Sequence, residues 1–103
     1  MTQLSDAMRA FLNGRHYATF ATLNADGSMH LTPVWSLLAD ECLFVETAAA
    51  DRKVRNILAR PQASLLVDSR RRPGAERWVS ASGTAEIIRG ERSKAINAQI
   101  QQR

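Results

Sequence analysis

The chain has 103 residues, 45% of them apolar, and a net charge of +4, which bounds it to one domain with a core of ordinary size. No apolar run reaches the ~20 residues of a membrane-spanning helix, and Met1 to Asp6 lacks the basic-then-apolar layout of a secretory signal. Cys42 stands alone, which excludes a disulfide framework and a cysteine metal cluster, and a cytoplasmic protein without metal is the simplest reading.

In chain order, Ser5 is placed to cap a helix over residues 6–12, with Met8, Phe11 and Leu12 on one face. Asn13-Gly14 ends it. Tyr17 to Leu23 alternates with the two-residue period of a strand. Asn24-Ala25-Asp26-Gly27 is a strong turn, and Ser28 to Ala39 returns as a second strand. Pro33 requires that strand to be bent, bulged or at an edge. Asp40-Glu41 is a tight turn into a third strand, Cys42 to Thr47, which completes a meander. Asp51 is expected to cap a basic helix over residues 52–59, with Val54, Ile57 and Leu58 on its apolar face and Pro61 as its stop. Ala63 to Val67 is a fourth strand, and 68–74, with Arg70-Arg71-Arg72, reads as a solvated loop. Trp78 to Ile88 is a fifth strand in which Gly83 marks a bulge or a close backbone approach. Glu91 to Gln102 is a polar helix carrying Ile96 and Ile100. The predicted fold class is mainly β, a small, mostly antiparallel β-barrel with a few helices.

Two segments carry chemistry. Leu31-Thr32-Pro33-Val34-Trp35 sets a proline inside a strand, so that backbone polar groups nearby can meet the edge of a flat ring. Thr47, Arg52 and Lys53 bring a hydroxyl and two cations to a helix start, a natural seat for a phosphate. Together they point to a flavin-like cofactor. Arg55 and Asn56 follow on the same helix, as supporting or solvated residues. His30 reads as structural, His16 as uninvolved, and Cys42 as a small buried apolar residue. No nucleophilic triad, paired carboxylates or metal-ligand spacing is visible, so no catalytic side chain is assigned. A nucleic-acid-binding barrel ranks last, because the exposed aromatic platforms of such a surface are not expected.

The order of Phe20-Ala21-Thr22-Leu23, Asp26-Gly27-Ser28, His30, Thr32-Pro33-Val34-Trp35, Thr47, Arg52-Lys53-Val54-Arg55-Asn56-Ile57, Arg60-Pro61, Leu65-Leu66-Val67-Asp68 and Gly83-Thr84-Ala85-Glu86 resembles the pyridoxamine 5'-phosphate oxidase-like, FMN-binding split-barrel family. Within it the chain is most similar to the branch that uses the deazaflavin coenzyme F-420. The resemblance implies a split-barrel domain over residues 1–103. Family members continue into a further strand that completes the barrel, so the expectation here is a barrel without that strand. It implies a homodimer with the cofactor at the subunit interface and hydride transfer to a small organic substrate, with neither nucleic acid nor membrane as partner. Thr32, Pro33, Val34 and Trp35 would lie along the ring, and Thr47, Arg52, Lys53 and Asn56 would bind the phosphate side. Trp78 is assigned either to the core or to the cofactor of the partner subunit. FMN is the alternative cofactor, and a flavin or haem binder without turnover the alternative function.

Overall fold

The computed structural model describes residues 4–69, 73–74 and 76–102. The Arg70-Arg71-Arg72 cluster lies outside the described residues. Helix α1 (Asp6–Leu12) begins where the Ser5 hydroxyl accepts from the Met8 amide at 3.2 Å. It buries Leu12 and is tied by Arg9, through two bonds of 3.0 Å, to the Glu41 carboxylate at the tip of a hairpin.

Strands β1 (Tyr17–Leu23) and β2 (Met29–Val34) form an antiparallel hairpin. Its turn is set by Gly27 at φ 88° and by the Asn24 amide donating to the Ser28 carbonyl at 2.9 Å. The Asp26 carboxylate accepts from the Ser28 hydroxyl at 2.6 Å and the Ser28 amide at 3.0 Å, bonds that lower its pKa. Counting along the ladder from the Asn24–Ser28 bond, every second pair is bonded. Pro33, opposite Thr19, falls at an unbonded position on an edge strand, where its missing N–H breaks no ladder bond.

The second expected strand does not run on to Ala39. It breaks at Trp35, and β3 (Ser36–Ala39) pairs instead with β4 (Cys42–Val45) in a separate two-stranded sheet. Asp40 and Glu41 take positive φ (52° and 62°) to make its tight turn. The expected barrel is thus, among the described residues, two antiparallel sheets with three helices rather than a closed ring.

Helix α2 (Arg52–Ala59) has the expected bounds. Strand β5 (Gln62–Ser69) follows, longer than expected, and pairs with both β1 and β6 (Arg77–Thr84), giving the order β2-β1-β5-β6. β6 stops at Thr84 because its partner runs out. The Ala85 amide reaches the Pro61 carbonyl at 2.8 Å, and past the extended Arg60 the neighbouring chain is helix. Gly83 pairs regularly with Ala63 and nothing lies within 4 Å of where a Cβ would sit, so neither the bulge nor the close approach is present. Helix α3 (Glu91–Gln101) buries Ile100.

The core lies on one face of the four-stranded sheet. Ala18 and Phe20 of β1 and Leu65 and Val67 of β5 meet Leu12 of α1 and Ile57 of α2. Cys42 is exposed rather than buried, since it sits at the first position of a short strand beside the turn. No helix among the described residues is long and apolar enough to cross a membrane.

Candidate functional site

Helix α2 starts at the end of the β4 segment, so whatever precedes it is carried to the edge of the core. Asp51 occupies the capping position, but its carboxylate does not cap the helix amides as expected. Its Oδ2 instead accepts from the Thr47 hydroxyl at 2.8 Å and the Ala48 amide at 3.1 Å, and lies 3.3 Å from Lys53 Nζ. These contacts, the Thr47 bond foremost, hold the Asp51 carboxyl below its ordinary pKa. The Lys53 side chain is only 13% exposed. Arg52 stays exposed, and Arg55 donates to the Ala50 carbonyl at 2.9 Å, which closes the loop. Among the predicted phosphate residues, the structure therefore brings Thr47 and Lys53 together around one carboxylate oxygen.

Thr47 and Lys53 also line a cavity of about 580 Å³ whose apolar wall includes Phe20, Leu65, Ile87 and Ile96. Its size suits a small ligand.

Asn56 is drawn away from this cluster. It is 5% exposed, and its Nδ2 donates to Thr22 Oγ1 at 3.1 Å and Asn24 Oδ1 at 3.0 Å. Arg60 completes the set, donating to the Asn56 Oδ1 at 3.3 Å and to the Leu23 carbonyl at 3.0 Å. This joint fixes α2 to the end of β1. The signal for it in the sequence is Thr22, a hydroxyl on the strand face that otherwise carries Ala18 and Phe20.

The predicted ring segment lies on β2, at the far edge from β6. Its residues divide by side. Thr32 sits opposite Phe20 on the inner face, and its Oγ1 is buried without a hydrogen-bond partner. Pro33 and Trp35 belong to the outer face, where Trp35 stacks on Tyr17 with centroids 5.8 Å apart and Arg15 lies 4.8 Å over its ring. Trp78 sits across Asp68 from Tyr17 in the same row of that face and is 65% exposed, so it is not part of the core. Met29 and Leu31 extend the exposed apolar surface. The expectation that exposed aromatics are lacking is overturned by Tyr17, Trp35 and Trp78. Neither the Thr32–Trp35 segment nor Trp78 lines the cavity beside Lys53, so a single chain does not gather all the predicted residues into one pocket.

Among the described residues, no group of three or more His, Cys, Asp or Glu side chains is placed to hold a metal ion. His16 stacks on Phe11, with ring centroids 4.2 Å apart.

The family model for pyridoxamine 5'-phosphate oxidase matches residues 4–103. Among solved structures, the chain is similar to the conserved hypothetical protein Rv2991 of Mycobacterium tuberculosis, at 33% identity and a TM-score of 0.76, over 88% of this chain and 57% of that one. It thus spans little more than half the length of that relative. It is also similar in fold to an F-420 reductase (22% identity, TM-score 0.81, 96% of this chain and 77% of that one). The haem storage protein HutZ of Vibrio cholerae shares the fold as well (20% identity, TM-score 0.74, 98% and 75%). No curated protein matches the chain.

Proposed function

Because this chain belongs to the pyridoxamine 5'-phosphate oxidase family, we propose that it is an oxidoreductase that uses coenzyme F-420 for hydride transfer to a small organic substrate. The observation that carries this reading is the convergence of Thr47 and Lys53, with exposed Arg52, at the start of α2 beside the 580 Å³ cavity. A hydroxyl, two cations and the positive end of a helix are the donors a phosphate needs. The deazaflavin would supply the hydride chemistry, and the chain would supply binding, orientation and exclusion of water.

In this reading Thr47, Arg52 and Lys53 hold the phosphate and Asn56 keeps α2 in position for them. Thr32, Pro33, Val34 and Trp35 flank the ring. The exposed row of Trp35, Tyr17 and Trp78 pairs two copies of the chain, bringing Trp78 of one subunit toward the cofactor of the other. The two sheets are then halves of a split barrel, working in the cytoplasm without nucleic acid or membrane as partner. The likeness in fold to an F-420 reductase supports the choice of cofactor. FMN is the rival, favoured by the compactness of the Thr47–Lys53 cluster, which would suffice for a single terminal phosphate. The fold shared with a haem storage protein keeps a binder without turnover as the alternative function.

Calorimetric titration with coenzyme F-420 and with FMN, on the native chain and on Lys53→Ala, tests the reading. Tight F-420 binding that weakens about tenfold or more in Lys53→Ala is expected from the loss of one charge-assisted contact. Preference for FMN would reassign the cofactor, and a dissociation constant untouched by the substitution would remove Lys53 from the site. Turnover of reduced coenzyme with enones or quinones then separates an enzyme from a binder.

A further inference from the structure

We propose that Asp51 is an internal competitor for the phosphate seat at α2, its carboxylate taking the donors that an anionic ligand must recruit. The geometry points to this through one atom. Asp51 Oδ2 accepts from the Thr47 hydroxyl (2.8 Å) and the Ala48 amide (3.1 Å) and lies 3.3 Å from Lys53 Nζ. A hydroxyl, a backbone amide and an ammonium around a single anionic oxygen form the arrangement a phosphate oxygen would take. Asp51 is also the position from which a side chain ordinarily caps the helix, yet it makes no such bond. The carboxylate is turned from the helix amides to the loop donors. It pairs with Lys53 and so cancels the charge of the cation that is largely withdrawn from solvent, leaving exposed Arg52 and the helix end to attract an anion.

The consequence is a seat that is closed on itself until a ligand displaces the Asp51 side chain. An arriving phosphate meets a like charge, and the loop from Thr47 to Asp51 must release two hydrogen bonds before the phosphate gains them. Ligand affinity is held down at the phosphate end, and the ring end is untouched. This inference rests on the reading of Thr47 and Lys53 as the phosphate donors, and the test separates the two.

The test compares the native chain with Asp51→Asn, which keeps the size and an acceptor for Thr47 and Ala48 but carries no charge. Asp51→Ser is the second variant, chosen because serine caps the helix and sustains folding. Dissociation constants are measured for FMN and for riboflavin, which shares the ring and lacks the phosphate. Both variants are expected to bind FMN about tenfold more tightly, the size of one like-charge contact near solvent, with riboflavin unchanged. Equal or weaker FMN binding in both variants overturns the proposal, as does an equal gain for riboflavin. If Lys53→Ala loses no FMN affinity, the phosphate assignment itself fails. Should FMN not bind the native chain, inorganic pyrophosphate followed by the chemical shifts of Thr47 and Lys53 takes its place. Saturation at lower concentration in Asp51→Asn supports the competitor, and no saturation in either protein overturns it.

Discussion

The two faces of the four-stranded sheet use the same strands for opposite purposes. Inward from β1 point Ala18, Phe20 and Thr22, all buried under α1 and α2. Outward point Tyr17, 74% exposed, and its row-mates Trp35 and Trp78. The inner face even buries polar groups, and Thr22, Asn24, Asn56 and Arg60 satisfy each other there, with Thr32 Oγ1 left unpartnered. The outer face leaves large aromatic rings in water, an apolar surface of the kind that marks an interaction site. One face specifies the fold, and the other is available to a second body.

The largest expected effect breaks the inner face. Asn56→Ala removes the donor that Thr22 Oγ1 and Asn24 Oδ1 share. Leaving buried acceptors unpaired should cost about 2–3 kcal/mol and lower Tm by roughly 10 °C or more. Urea or thermal unfolding reads it directly. If stability held and only cofactor affinity fell, Asn56 would be a ligand group rather than a joint.

Truncating the outer face should do the reverse. Trp78→Ala is expected to change the stability of the isolated chain by less than about 1 kcal/mol, because the ring is 65% exposed. Self-association should weaken by about 2 kcal/mol if Trp78 anchors the proposed dimer. Sedimentation over a concentration series measures this. Loss of folding without loss of association would assign Trp78 to the fold.

How far the two faces could be read in advance follows from what is local. α1, β1 and α2 were legible to the residue, because Ser5, the alternation from Tyr17, and Asp51 with Pro61 mark their ends within the segments themselves. The break at Trp35 was not. It is a change of partner, from β1 to β4, and nothing in an apolar run announces which strand will be alongside. The overrun of β6 to Ile88 has the same origin, since Ile87 and Ile88 continue an apolar pattern after the partner strand has ended. At the site, the meeting of Thr47 and Lys53 followed from a strand end beside a helix start. The destination of the Asp51 side chain did not, because a capping residue has loop donors and helix donors equally near. Trp78 illustrates a further limit. A tryptophan in an alternating strand reads alike on either face until the register with Tyr17 is known.

The smallest expected effect sharpens the comparison at one atom. Thr32 belongs to the predicted ring segment, yet its side chain is on the inner face, where Oγ1 is buried without a partner. Replacing a hydroxyl that makes no hydrogen bond with a methyl of similar shape removes a desolvated polar group and leaves packing intact. Thr32→Val should therefore raise stability by up to about 1 kcal/mol, seen as a small rise in the urea midpoint at constant m-value. A loss of stability would mean that the hydroxyl is bonded in solution, which would make Thr32 a further buried polar group of the inner face that, like Thr22, has its partner. Unchanged F-420 or FMN affinity in this variant would leave only the backbone of Thr32 to face the ring. A large loss would mean that a ligand reaches through the sheet edge to the inner face, and the division between the two faces would fail at this position.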